Sequence, residues 1–318
     1  MRKILGTALL ALALVACAES VEVSVILEDE PEFEIEHGHA DNNGVKIHYA
    51  TAGEGPLVVM IHGFPDYWYT WRHQMEGLYD QFQVVAIDTR GYNLSDAPDE
   101  ESAYAMPNLI ADVAAVINHF GHESATVVGH DWGGVIAWQT AFNRPDLVDR
   151  LIILNLPHPN GWIASWESDP EIKATTDYAR VMATGTVDQP DVFFGYPMTP
   201  QTLSGWVRDE EAKAKYVEAF ERSDFEAMLS YYRQNYPRNW EDDFQAPPPV
   251  PPIEVSTLMF HGLEDIALHS DGLNNNWDYI DADLTLVTVP GASHFVQQDA
   301  AELVTSTMRW WLLQRTAD

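Results

Sequence analysis

Short apolar runs recur along the chain at intervals that suit buried strands. They fall at Phe33–His39, Val45–Ala50, Leu57–Ile61, Val84–Ile87, Ala125–Val128, Leu151–Leu154, Thr257–Phe260 and Leu284–Val289. Their length and β-branching predict strands covered on both faces. Asp41-Asn42-Asn43-Gly44 is turn chemistry, so the first two runs read as an opening hairpin. Helical patterns separate the later runs, at Asn108–His119, Val135–Phe142 and Ala300–Leu313, the first of them opened by Pro107. Such alternation predicts an α/β fold with a mostly parallel sheet flanked by helices.

The alternation stops after Leu156 and resumes near Val255. The segment between is rich in Trp, Tyr and Phe and mostly helical in pattern. It reads as a helical cap over residues 156–252, inserted after the sixth strand. The sheet-forming core is then split into residues 33–155 and 253–318. Pro247-Pro248-Pro249-Val250-Pro251-Pro252 is a stiff spacer back to the sheet.

The first residues carry a different signal. Arg2 and Lys3 precede an apolar run from Ile4 to Val15, too short for a bilayer span but suited to a signal peptide over residues 1–16. Leu14-Val15-Ala16-Cys17 resembles the lipobox of bacterial lipoproteins, which implies lipidation at Cys17, a membrane anchor and a place in the periplasm or cell envelope. Plain export is the rival, with Ala16-Cys17-Ala18 as the cleavage site. Residues 17–32 read as an acidic, solvated tether.

Composition narrows the function. The chain has 318 residues, 17 Lys and Arg against 49 Asp and Glu, and a net charge of −32. Nucleic acid is therefore not an expected partner, because phosphate binding needs clustered cations. The single cysteine excludes an intrachain disulfide and a Cys-rich zinc site. His37-Gly38-His39 and His119-Phe120-Gly121-His122 lack further ligands and read as exposed turn residues. No cofactor or metal motif is present, and none is expected.

Gly129-His130-Asp131-Trp132-Gly133-Gly134 follows an apolar strand and opens a helix. This is the spacing of a nucleophile elbow, with aspartate where serine usually stands. A carboxylate with an ordinary pKa of about 3.9 is already ionised and attacks saturated carbon, giving an alkyl ester. That ester needs a base to activate water. His294, just past the last strand, is the candidate base. The orienting acid follows the strand Thr257–Phe260: Asp265 is chosen, with Glu264 in reserve. His62-Gly63-Phe64-Pro65 reads as an oxyanion loop, and the backbone N–H groups of Phe64 and Trp132 are placed to hold the charge that develops. A structural aspartate capping the helix is the bland alternative.

These pieces together resemble the α/β-hydrolase-fold epoxide hydrolases. The similarity is close through Val127–Gly134 and Asn155–Asn160 and looser from about residue 40 to 315. It implies an apolar epoxide and water as substrates, and two cap tyrosines that protonate the epoxide oxygen. Tyr231-Tyr232-Arg233-Gln234 matches the second of these at Tyr232, on what reads as one amphipathic helix with Tyr216, Phe220, Met228 and Leu229. Asp177-Tyr178-Ala179-Arg180 matches the first at Tyr178, although Val181 and Met182 replace aromatic residues of the family pattern. Haloalkane dehalogenases share the aspartate nucleophile and are the alternative enzyme; a non-catalytic binding lipoprotein is the third reading. Oligomeric state is not legible.

Overall fold

The computed structural model describes residues 33–236 and 250–315. The leader, Cys17, the tether 17–32 and Pro247–Pro249 of the proline spacer lie outside the described residues. The eight strands are β1 (Glu36–Asn42), β2 (Val45–Ala52), β3 (Leu57–Ile61), β4 (Gln83–Ile87), β5 (Ala125–His130), β6 (Val148–Leu154), β7 (Thr257–Gly262) and β8 (Leu284–Val289). They form one sheet in the order β1-β2-β4-β3-β5-β6-β7-β8. β1 pairs antiparallel with β2, and β2 antiparallel with β4; all other pairs are parallel.

Alternation along each strand builds two cores. Leu57, Val59 and Ile61 of β3 join one apolar cluster with Val127 of β5 and Leu151 and Ile153 of β6. Val58, Met60, Val128, Ile152 and Leu154 join the other. Successive side chains point to opposite faces, so an unbroken apolar run requires a layer on each side. Helix α1 (Arg72–Leu78) follows β3, α2 (Met106–His119) follows β4, and α3 (Trp132–Asn143) follows β5. α2 and α3 cover the first face.

Between β6 and β7 lie α4 (Pro159–Ser168), α5 (Pro170–Thr175), α6 (Asp177–Thr184), α7 (Pro200–Leu203), α8 (Glu210–Arg222) and α9 (Phe225–Asn235). The buried aromatic and apolar residues of α6 to α9 join the same cluster as α2 and α3. After β8 the described residues form α10 (Val296–Asp299) and α11 (Ala301–Leu313), and α11 joins α1 on the second face.

Several expectations are corrected. β1 begins and ends three residues later than predicted, because Asp41 and Asn42 pair with Lys46 and Val45. The hairpin turn is Asn43-Gly44 alone, both at positive φ, as a tight two-residue turn requires. His37 and His39 therefore stand on β1 rather than in a turn, and His37 Nδ1 lies 3.1 Å from His48 Nε2. α3 begins three residues before its predicted start, directly after Asp131. The single helix expected from Tyr216 to Tyr232 is two, α8 and α9, because Asp224 turns extended and its carboxylate caps the Ala227 N–H.

Candidate active site

Backbone geometry at the end of β5 places Asp131 where an ordinary residue would not sit. Its φ is 51° and ψ −119°, between the last strand residue and the first turn of α3. The surrounding glycines explain how the turn closes. A Cβ on Gly129 would lie 2.1 Å from the Gly133 carbonyl oxygen, and one on Gly133 would lie 2.0 Å from that of Ile61. One on Gly63 would meet Asp131 Cβ at 2.4 Å. Only bare backbone allows the strand, the helix start and the 62–65 loop to approach this closely.

The two oxygens of Asp131 have different partners. Oδ1 accepts the Phe64 backbone N–H at 2.7 Å. Oδ2 lies 3.5 Å from His294 Nε2. The Phe64 loop is held from below by buried His62, whose Nε2 accepts the Thr89 N–H at 3.0 Å while Nδ1 donates to the Gly63 carbonyl at 2.8 Å. The Phe64–Pro65 bond is cis. Trp132 opens α3, so its N–H is one of the helix-start donors without an intrahelical acceptor.

On its other side, His294 Nδ1 lies 2.9 Å from Asp265 Oδ2. Asp265 is buried, and its Oδ1 accepts the N–H groups of Ala267 and Leu268 at 2.8 and 3.0 Å. Glu264 is exposed and lines the nearby cavity instead. Burial draws the His294 pKa down, but the carboxylates of Asp265 and Asp131 outweigh it and raise it to about 10. Burial pushes both carboxyl groups up, yet the His294 contacts leave each below the usual carboxylate range. The two carboxylates thus favour the protonated, imidazolium form of His294.

Asp131, His294, Tyr178 and Tyr232 all line one cavity of about 310 Å³, with Phe64, Phe193 and Trp206 among its walls. Tyr232 is buried, packed edge-on against Phe64 at 5.6 Å and Trp132 at 5.0 Å between ring centroids. Its hydroxyl also interacts with the Trp132 indole. Tyr178 is half-buried and stacks on Phe194 at 4.7 Å. Burial holds both phenols well above their ordinary pKa, with Asp131 adding to the effect, so both keep their protons. Tyr231 turns away and donates to the Arg90 carbonyl at 2.8 Å.

Residues 56–301 match the α/β hydrolase fold family. Epoxide hydrolase 1 of Caenorhabditis elegans is 31% identical over 290 residues, spanning 84% of this chain and 68% of that protein. Epoxide hydrolase 3 of Xenopus tropicalis is 30% identical over 299 residues, spanning 87% and 78%. The chain belongs to the α/β hydrolases, in their epoxide-hydrolase branch. Among solved structures, a Bacillus megaterium epoxide hydrolase with an inhibitor superposes at a TM-score of 0.79 with 26% identity, covering 87% of this chain and all of that one. A structure described among novel epoxide hydrolases from metagenomes of hot environments gives 0.75 at 30% identity, covering 89% and 99%.

Sequence reasoning about this α/β hydrolase missed two residues that hold the others. Asn155, at the end of β6, donates from Nδ2 to Asp265 Oδ2 at 2.8 Å and to the Ser293 carbonyl at 3.1 Å. An amide carries no charge and so does not stand out as a candidate acid; its position directly after the strand β6, at the same sheet edge as Asp131, is the signal that could have found it. His130 is buried, outside the cavity lining, with Nε2 2.7 Å from the His294 carbonyl oxygen. Burial lowers its pKa to about 4, so the neutral ring donates to that carbonyl.

Proposed function

We propose that the protein hydrolyses an apolar epoxide to a vicinal diol through an ester on Asp131. The observation that carries this reading is the unequal treatment of the Asp131 oxygens beside two protonated phenols. Oδ2 attacks the less hindered ring carbon; the ring C–O bond breaks, and the oxygen takes a proton from Tyr178 or Tyr232. Oδ1 stays on the Phe64 N–H and becomes the ester carbonyl oxygen.

Alkylation removes the charge of Asp131. His294 then loses one of the two anions that stabilise its proton, and its pKa falls. The proton it sheds is available to the tyrosinate, and the neutral imidazole becomes the base that activates water against the ester carbon. Charge on Oδ1 is met by the Phe64 N–H and the Trp132 N–H; removal of one such donor typically costs about 10²–10³-fold in rate. Collapse releases the diol and restores the carboxylate.

The dehalogenase reading needs donors for a leaving halide. Here the Trp132 indole already interacts with Tyr232, and Phe64 offers only an apolar side chain. Incubation with styrene oxide and separately with a bromoalkane decides between them: diol is expected, and bromide release alone overturns the proposal. A single turnover in ¹⁸O-water should leave the diol unlabelled and place the label on Asp131.

We also propose that residues 156–252 act as a cap over the site. For the leader, we propose export with a lipid anchor at Cys17, supported by Leu14-Val15-Ala16-Cys17. Cys17→Ser should move the protein out of the membrane fraction, and an unchanged distribution overturns the anchor.

A further inference from the structure

We propose that Trp206 is a positioning residue: with Arg208 it clamps the loop carrying His294 in register for ester hydrolysis. The inference rests on the reaction proposed above. Residues 290–295 connect β8 to α10, and the core holds this loop from one side through His130 and Asn155. The other side is held by the segment between α7 and α8.

The Trp206 indole lies flat on the Phe295 ring, with centroids 3.4 Å apart and planes 7° apart, and Phe295 is the neighbour of His294. Tyr216 meets the same indole edge-on at 5.1 Å. The buried Trp206 Nε1 has no hydrogen-bond partner among the described residues, so apolar and ring packing hold the side chain. Arg208 Nη1 lies 4.0 Å from Asp299 Oδ1, while Asp299 Oδ2 accepts the Ser293 N–H at 2.8 Å and its hydroxyl at 2.5 Å. Arg208 is 80% exposed, so this pair is weak and the stack carries the clamp.

Trp206, Arg208 and Asp299 line both the 310 Å³ site and a second cavity of about 470 Å³ that includes Tyr69, Arg72 and His73. Displacement of Trp206 therefore frees the His294 loop and admits solvent-facing space to the site together. The two half-reactions respond differently. Alkylation depends on Asp131, which the elbow backbone fixes, whereas hydrolysis depends on where His294 Nε2 stands. A misplacement of about 1 Å at a catalytic group can cost about 10²-fold.

Rapid-quench kinetics with styrene oxide, with the ester followed by intact mass, tests the clamp. Trp206→Ala, which also alters the cavity wall, should slow ester hydrolysis by about 10- to 100-fold more than it slows alkylation at saturating styrene oxide, so that the ester accumulates. Trp206→Phe, which retains a stacking ring, should recover most of the hydrolysis rate. Hydrogen exchange of the 291–299 amides should rise in Trp206→Ala and remain near wild type in Trp206→Phe. Equal slowing of both steps, or unchanged hydrolysis with unchanged exchange, overturns the clamp. If Trp206→Ala does not fold, Trp206→Leu, which fills the space without a stacking ring, is read by the same rates and the same exchange, with the same outcomes. An absent ester in His294→Gln would instead overturn the reaction scheme, and the exchange result would still judge the clamp.

Discussion

The two halves of the site are held by different kinds of force. At the sheet edge, Asp131 and Asp265 are fixed by backbone: a positive-φ elbow, N–H donors from Phe64, Ala267 and Leu268, and glycines that leave no room to shift. Opposite them, Tyr178 and Tyr232 are placed chiefly by ring packing. Even within that half the support is uneven, since Tyr232 is wedged between buried rings while Tyr178 leans on Phe194, itself 45% exposed. The lesson is one of tolerance. Backbone constraints fail all at once, whereas packing contacts yield by degrees.

Substitutions can break that contrast, beginning with the nucleophile. Asp131→Ala should lower turnover of styrene oxide by about 10⁴-fold or more, since residues acting as a unit fail together; measurable diol at the wild-type rate would move the nucleophile elsewhere. Gly133→Ala should cost about 3 kcal/mol of stability, read as the urea midpoint, because Ile61 backbone cannot yield to the new Cβ. Gly205→Ala, between α7 and α8, meets the Thr202 carbonyl oxygen only at 3.1 Å and should cost about 1 kcal/mol at most. Equal costs would erase the difference between the regions.

Among the phenols, Tyr232→Phe should slow alkylation by about 10²-fold and Tyr178→Phe by less, with the double variant inactive in single-turnover assays. The reverse order would show that the exposed side of the cavity, not the buried one, donates the proton.

A pH-dependent effect concerns Asp66, buried beneath the α8 residue Tyr216, whose hydroxyl donates to Oδ1 at 2.7 Å. Burial outweighs its hydrogen bonds and raises its pKa from 3.8 to about 7. A folded-state pKa above the unfolded one means its contribution is complete below about 4 and is lost as pH rises through about 7. Asp66→Asn should flatten that loss, narrowing the wild-type difference between pH 4 and pH 8 by about 2–4 kcal/mol in urea titrations. Parallel curves for the two proteins would mean the carboxyl stays ionised.

Much of this was readable from local chemistry. Unbroken β-branched runs marked β3, β5 and β6 as buried, and Gly-x-Asp-x-Gly-Gly marked the elbow because only glycine permits such contact. Asn155 and His130 were unreadable for their roles: nothing near them in sequence announces that they meet Asp265 and His294, 110 and 164 positions away. The break at Ser223-Asp224 was missed because apolar spacing continues across it, while the cap bond from Asp224 is strong enough to restart the helix.

By itself, then, the order of residues determined the strands, the tight turn and the reactive carboxyl, since each depends on short-range sterics and on the ionisation of one group. Tertiary structure alone decided strand neighbours, the raised pKa of His294, the partners of Asn155 and the seating of Trp206 on Phe295. Those properties belong to pairs of groups distant along the chain, and their energies exist only once folding brings the pairs within a few ångströms and removes the water between them.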